Sequence, residues 1–503
     1  MAQVRTMAVD AAVGVSAGKF RWRESLAQTL RQSVAKSAVV AAALALVALA
    51  RFGPLLPGLS PEGQTVLGVF LFFILCTATN ALPGPVVGLT APTLVVVLTH
   101  AKLSVAFSAF DGKVFFLALG AFVIAAVMMA TPLGRRIALS ITGLCNSSKV
   151  PRILSAAMGG TVFLHAVLPT VSETALFLPV AQGLSEIPPK AGQEVHQQRT
   201  NTAFVMTIAG LTPLFAGPLF LTGAFPNLML TSLLHRTIGI RISWLSWFLY
   251  NLPLWGLLPI LFLMARRWFR LKGMELSDAK VAIPQMRAQL GPISWPEIWA
   301  VICVTTGFAL WITGPLTHLS TGMVALLVVG MMFLPFGGLD FARVAPQIMW
   351  GVLMLLGGAI SLGNLLFKTG VVKWMSHFLV EPIHAAGLHS PILVLLAVVF
   401  GLHIARAGVV SAVATGAAFI PLTIGLAKGF GFSVLPFSLI VTNALNYAVF
   451  LPISITAVLI AFSASKMRWS EAVRFGALLS IVANVYVVIV QSAWLDILGL
   501  PLR

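Results

Sequence analysis

Charge is what this sequence has least of. Only 9% of its 503 residues are charged, and Asp and Glu together number 14. A soluble chain of that length needs a much more polar surface. With 58% hydrophobic residues and a mean hydropathy of +0.98, the chain reads as an all-α polytopic membrane protein. Cysteine is equally scarce: Cys76, Cys145 and Cys303 lie scattered, with no Cys-x-x-Cys spacing. Neither a disulfide framework, nor a zinc site, nor redox chemistry is indicated, and no metal or organic cofactor is expected. No Gly-x-x-x-x-Gly-Lys-Ser/Thr loop occurs, so nucleotide binding has no support. Glu173 is the sole carboxylate deep in an apolar run. It leaves no second acid for acid–base or metal work, which argues against an enzyme. No spanning run carries the continuous polar stripe of a channel.

The formal charge of +18 comes from Lys and Arg in short loops and in the N-terminal tail. They form no folded basic face, so nucleic acid is not a partner, and they read as positive-inside topology signals. Residues 1–37, with Arg5, Lys19, Arg21, Arg23, Arg31 and Lys36, are too long and polar a lead for a typical cleaved signal peptide and are expected as a cytoplasmic tail. A first transmembrane helix follows at 38–58. Residues 59–265 then form one repeat and 293–499 a second, separated by a polar cytoplasmic linker at 266–292. The apolar runs amount to about 11 transmembrane helices. Two runs contain turn-prone centres: 153–184, around Leu168–Thr174, and 391–427.

Flanking charge gives these two runs a direction. Arg135, Arg136, Lys149 and Arg152 precede the first, and Lys190 and Arg199 follow it. All would share one membrane side if the segment enters and returns, as a re-entrant hairpin. The second has mainly Lys428 near it, while Lys466 and Arg468 mark the next inside loop, so it is expected to enter from the outside. An internal echo supports duplication: Leu119-Gly120-Ala121 through Arg136 parallels Gly357-Gly358-Ala359 through Gly370. Related halves with opposed hairpins describe an inverted repeat, whose broken helices meet near the bilayer midplane. Ordinary Pro/Gly kinks in spanning helices are the plainer alternative.

Glu173 and Arg406 are the only strong charges deep inside long apolar stretches, one in each half. An ionisable side chain at membrane depth costs about 2.5–3.5 kcal/mol even on lenient scales, so such residues face a cavity, a partner or a pathway. A guanidinium offers a planar fork suited to a carboxylate, sulfate or sulfonate. Arg406 therefore reads either as an anion anchor or as a structural group paired with Glu173 or with backbone carbonyls. A desolvated carboxylate can titrate near neutrality, so Glu173 is a candidate proton-coupling residue, with a structural role as the alternative. Thr170, Ser172, Thr174, Thr222, Asn227, Ser411, Thr415 and Thr456 lie where half-helix ends would converge, and their polar groups suit an anion. A hydroxyl in a membrane helix also commonly bonds its own backbone. His403 sits one turn before Arg406, and Asn364, Asn443 and Asn446 are expected to join helices.

Several segments carry a family resemblance: Leu59-Ser-Pro-Glu-Gly63, Asn80-Ala-Leu-Pro83, Leu133-Gly-Arg-Arg136, Phe220-Leu-Thr-Gly-Ala-Phe-Pro-Asn227 and Trp494-Leu-Asp-Ile-Leu-Gly499. In this order they resemble the divalent anion/sodium symporter (DASS) family, closest to the branch of bacterial citrate, tartrate and 2-oxoglutarate/malate carriers. The resemblance implies a homodimeric elevator carrier of di- or tricarboxylates in the bacterial inner membrane, with the N-terminus cytoplasmic. Coupling would be to sodium, a proton or a counter-anion, and a sulfate or organosulfonate carrier is the alternative. It also implies a Ser-Asn-Thr triplet at each hairpin tip, to hold carboxylates and, with nearby backbone, sodium. Neither triplet is intact. The first aligns with Pro169-Thr170-Val171 by counting or with Ser172-Glu173-Thr174 by residue type, and the second retains only Ser411. The counterpart of Asn227, around Ser454-Ile455-Thr456, has lost its asparagine. These departures favour a proton or exchange over sodium.

Overall fold

The computed structural model describes residues 32–143, 149–166, 168–186, 195–270, 279–388, 390–406, 409, 411–452, 454–465 and 467–503. Among them every regular element is helical. Residues 1–31 of the expected tail, the middle of the linker, Cys145, Lys190 and Lys466 lie outside the described residues; residues 32–37, expected in the tail, already belong to the first helix, which runs Gln32–Phe52 rather than 38–58. Among the described residues nine helices are long and apolar enough to cross a membrane, and four shorter apolar helices accompany them.

The first half runs as α1 (Gln32–Phe52), α2 (Pro61–Ala78), α3 (Gly84–Thr99), α4 (Lys113–Ala130), α5 (Leu133–Gly143), α6 (Val150–Leu164), α7 (Thr170–Glu186), α8 (Val195–Ala216), α9 (Phe225–Ile238) and α10 (Trp244–Trp268). The linker contributes α11 (Ala279–Ala288). The second half runs as α12 (Trp295–Ile312), α13 (Thr321–Met332), α14 (Trp350–Lys368), α15 (Val371–Ala385), α16 (Pro391–Arg406), α17 (Ala412–Gly429), α18 (Val434–Asn446), α19 (Thr456–Ser465) and α20 (Trp469–Ile497). From α2 and α12 onward the order is the same: two helices, a long helix, a short one, a helical pair, a broken helix and a closing helix.

The sequence places its punctuation where these elements begin. Ser60 accepts from the Gly63 amide at 3.0 Å with Pro61 behind it, and Ser294 forms a capping box with Glu297. The turn expected at Leu168–Thr174 falls earlier, at 165–169, and Thr170 opens α7. Pro169 sits just before it, its carbonyl accepting from the Glu173 N–H at 3.1 Å. The run Leu435–Phe462 is likewise two helices, interrupted at 447–455.

Packing exchanges the halves. In lipid, helices approach through small residues, and a Cβ on Gly120 of α4 would strike Ala325 of α13, while one on Gly358 of α14 would strike the backbone of Gly88 in α3. The second helix of each half thus packs on the third helix of the other. The helical pairs follow the same rule: α19 of the second half packs on α8 and α7, and α9 of the first half packs on α17. Gly210 against Ala461 and Gly416 against Met229 are the close approaches there. At the linker end, Arg136 of α5 pairs with Glu297 at 2.9 Å and donates to the carbonyls of Gly291 (3.0 Å) and Leu290 (3.1 Å). That ties α5 to the linker's own side of the bundle.

Candidate substrate and coupling site

Two breaks in otherwise apolar helices lie back to back. The first spans 217–224, between α8 and α9; the second spans 447–455, between α18 and α19. The Tyr447 hydroxyl donates to the Phe215 carbonyl at 3.3 Å, and the two rings sit 5.0 Å apart. A broken helix exposes carbonyl and amide groups that must find partners at depth. How each break finds them defines the site.

At the first break all the donors found are neutral. Asn227 Nδ2 donates to the carbonyls of Gly217 (3.0 Å) and Phe220 (2.8 Å). The Thr222 hydroxyl reaches the hairpin tip at the Ala166 carbonyl, 2.7 Å away. Thr170 returns the contact, its backbone N–H (3.1 Å) and its hydroxyl (3.0 Å) both donating to the Gly223 carbonyl. The tip of α6–α7 is therefore stapled to the break from both sides.

The acid of this half is held within the hairpin. Glu173 and His165 are both fully buried and in direct contact, carboxylate oxygen Oε2 to imidazole Nδ1. Nothing in the sequence singles out His165, since a lone histidine in an apolar run carries no spacing signal. Its other nitrogen, Nε2, lies 3.3 Å from the Thr170 hydroxyl. That hydroxyl has committed its proton to Gly223, so it accepts from Nε2–H. Apart from this contact, neither Nδ1 nor the two Glu173 oxygens has a hydrogen-bond partner among the described residues. Of the neighbouring residues, Ser172 is buried with its hydroxyl 4.0 Å from the sulfur of Met349, just before α14. Thr174 bonds its own helix at the Thr170 carbonyl, 2.8 Å away.

At the second break the donor is charged. Arg406 ends α16 and is 2% exposed. Its Nη1 donates to the Leu445 carbonyl and its Nη2 to the Ser454 carbonyl at 3.4 Å, bridging the end of α18 to the approach of α19. The fork expected to grip an anion is thus turned toward backbone carbonyls, and no Glu173–Arg406 pair forms. Among the described residues its Nε has no hydrogen-bond partner, nor has the buried Thr415 hydroxyl. Both residues line a cavity of about 10 Å³, with Pro226 of the first half, Gly416, Leu445 and Asn446. This holds roughly one water; a carboxylate needs the second hairpin to shift. Ser411 caps α17, accepting from Ala414 N–H at 3.2 Å. Thr456 opens α19, but its side chain lies outside the described residues.

The remaining polar residues brace this frame. His403 Nε2 meets Asn484 Nδ2 at 3.1 Å and Nδ1 meets the Val399 carbonyl at 2.7 Å, which fixes a neutral ring donating from Nδ1. Asn364 donates to Ser108 at 3.1 Å, and Asn443 joins Asn251 of α10 and Gln491 of α20. Asn446 instead bonds its own helix at Thr442, 3.2 Å away. Among the described residues no group of three or more His, Cys, Asp or Glu could hold a metal ion.

An all-helical membrane protein whose broken helices and hairpins present polar groups at depth has the architecture of a secondary transporter. The chain belongs to the sodium:sulfate symporter family, whose transmembrane region matches residues 34–500. It is a multi-pass membrane transporter rather than an enzyme, and the resemblance read from its motifs extends over nearly the whole chain. A membrane protein of Cupriavidus necator is 27% identical over 411 residues, 77% of each chain. The sodium-dependent dicarboxylate transporter SdcS of Staphylococcus aureus is 23% identical over 468 residues, 85% of each. The L-tartrate/succinate antiporter of Shigella sonnei is 24% identical over 481 residues, 91% of this chain and 97% of that one.

Proposed function

We propose that this chain carries small di- or tricarboxylate anions across the bacterial inner membrane by an elevator-type exchange of access, working as a homodimer with its N-terminus in the cytoplasm. The observation that carries this reading is the meeting of the halves. Pro226, in the first turn of α9 just after the first break, lines one cavity with Arg406 and Thr415 of the second hairpin. Amide ends of half-helices, free hydroxyls and a fixed positive charge are the donors that an organic dianion needs in a low-dielectric site. The names of two relatives, one a dicarboxylate carrier and one a tartrate/succinate exchanger, support the same substrate class. Re-entrant hairpins opening on opposite sides would let the site face each compartment in turn.

For coupling we favour a proton or a counter-anion over sodium. A proton shared by His165 and Glu173 would lie where both groups are fully buried. Releasing it leaves a bare carboxylate in low dielectric unless a cation or a rearranged hairpin compensates. Sodium dependence in the name of one relative is the contrary indication.

Uptake of radiolabelled succinate, citrate and sulfate into proteoliposomes tests the function. Saturable uptake of a carboxylate, inhibited by unlabelled carboxylates, is the expected result. Saturable sulfate uptake without carboxylate uptake moves the chain to the sulfate or organosulfonate class. Non-saturating flux of any of them contradicts a carrier.

A further inference from the structure

We infer that Arg406 is a built-in cation: its guanidinium fills, in the second half, the backbone-carbonyl seat that a mobile alkali cation would otherwise take. The inference rests on the transporter reading above and concerns only the second break. The family's name implies sodium, and carbonyls at the end of a half-helix are the groups on which such carriers hold coupling cations. Here the Leu445 carbonyl, at the end of α18, and the Ser454 carbonyl, just before α19, both accept from Arg406. A sodium ion among these oxygens would lie against a buried positive charge, so the residues present do not fit it.

The first break provides the control within the same molecule. Its carbonyls at Gly217, Phe220 and Gly223 are satisfied by the neutral donors Asn227 and Thr170. In the second half the asparagine is missing and a charged donor comes from the hairpin instead. Arg406 is also placed where its charge persists. It is nearly fully buried, no carboxylate lies in contact with it among the described residues, and its nearest titratable neighbour, His403, is fixed as a neutral ring by Asn484 and Val399. Its positive charge therefore remains uncompensated by the protein, as a bound cation's would, and is available to a substrate carboxylate. The unpartnered Nε–H and the Thr415 hydroxyl face the same small cavity. A carrier built this way keeps the charge of a cation at the second break permanently, with no loading or release there.

Removing the side chain should recreate the vacant seat. The experiment is thermal unfolding of the detergent-purified full-length chain in sodium chloride against choline chloride at constant ionic strength. The wild type is expected to show the same midpoint in both salts. Arg406→Ala should unfold earlier in choline chloride and recover by a saturable rise of roughly 3–5 °C with sodium. Millimolar guanidinium should rescue the same variant in choline chloride. An Arg406→Ala chain that responds to neither ion more than the wild type does overturns the inference, as does a wild type that gains as much from sodium as the variant. If the alanine variant does not fold, Arg406→Met, which keeps an apolar side chain of similar length and removes every donor from the carbonyls, decides by the same criteria. No substrate enters this measurement, so its outcome does not depend on whether the chain carries carboxylates, and the uptake assay in turn does not depend on a sodium seat.

Discussion

In the first hairpin the buried charge is an acid, Glu173, and its partner, His165, sits across the same hairpin turn. In the second the buried charge is a base, Arg406, and its partners are carbonyls of a different, broken helix. The first tip is stapled to its own break by neutral hydrogen bonds through Thr170 and Thr222; the second is held by a guanidinium. Two halves with the same order of helices have thus satisfied equivalent exposed backbone in chemically opposite ways. One half keeps an acid beside a histidine, and the other sets a guanidinium against backbone carbonyls. Duplicated architecture fixes where polar groups must go, while the side chains that meet this need can diverge.

The sharpest way to break the contrast is to remove the base. Arg406→Ala deletes two charge-assisted hydrogen bonds, worth together about 3 kcal/mol or more, and carboxylate uptake in proteoliposomes should fall about a hundredfold. Uptake within a few-fold of wild type would reduce Arg406 to a dispensable brace. Second in size is a packing test of the duplicated crossings. A Cβ on Gly358 meets the Gly88 backbone, which cannot yield, so Gly358→Ala should cost about 2–3 kcal/mol in unfolding measurements. Gly120→Ala, which meets Ala325 first, should cost less. Equal losses would deny the difference between the crossings.

Removing the acid should alter dependence more than rate. Glu173→Gln is expected to flatten the response of transport to pH while leaving anion exchange in place, read as counterflow across a series of buffers. A variant with the wild-type pH response would reject Glu173 as the proton carrier. The smallest effects belong to hydroxyls. Thr170→Val keeps the backbone N–H donation to Gly223 and loses the hydroxyl's bonds to Gly223 and His165, about 1–2 kcal/mol or roughly five- to thirtyfold in uptake. Thr174→Val, whose hydroxyl bonds its own helix, should be indistinguishable from wild type.

Much of this contrast is legible in the sequence, for physical reasons. Hydropathy locates the spans and Pro/Gly interruptions locate the broken regions, because backbone at membrane depth tolerates interruption only where it finds other partners. Glu173 and Arg406 stand out because charge in an apolar run is costly. Their partners do not. His165 meets Glu173 only through the closed turn at the tip, since eight residues of unbroken helix would hold them about 12 Å apart. The partners of Arg406 are carbonyls, which have no side-chain signature at all. Proline also misleads by position: Pro169 suggests the centre of a turn but lies directly before the helix that Thr170 opens, and the break between α18 and α19 has too few turn residues to interrupt the hydropathy of Leu435–Phe462.

The contrast between an acidic and a basic half is tested most directly by uptake of radiolabelled succinate into proteoliposomes under separately imposed sodium and proton gradients, with and without internal succinate. The account predicts uptake driven by the proton gradient or by internal counter-anion and indifferent to sodium. Uptake that requires sodium and ignores both of the others would contradict it.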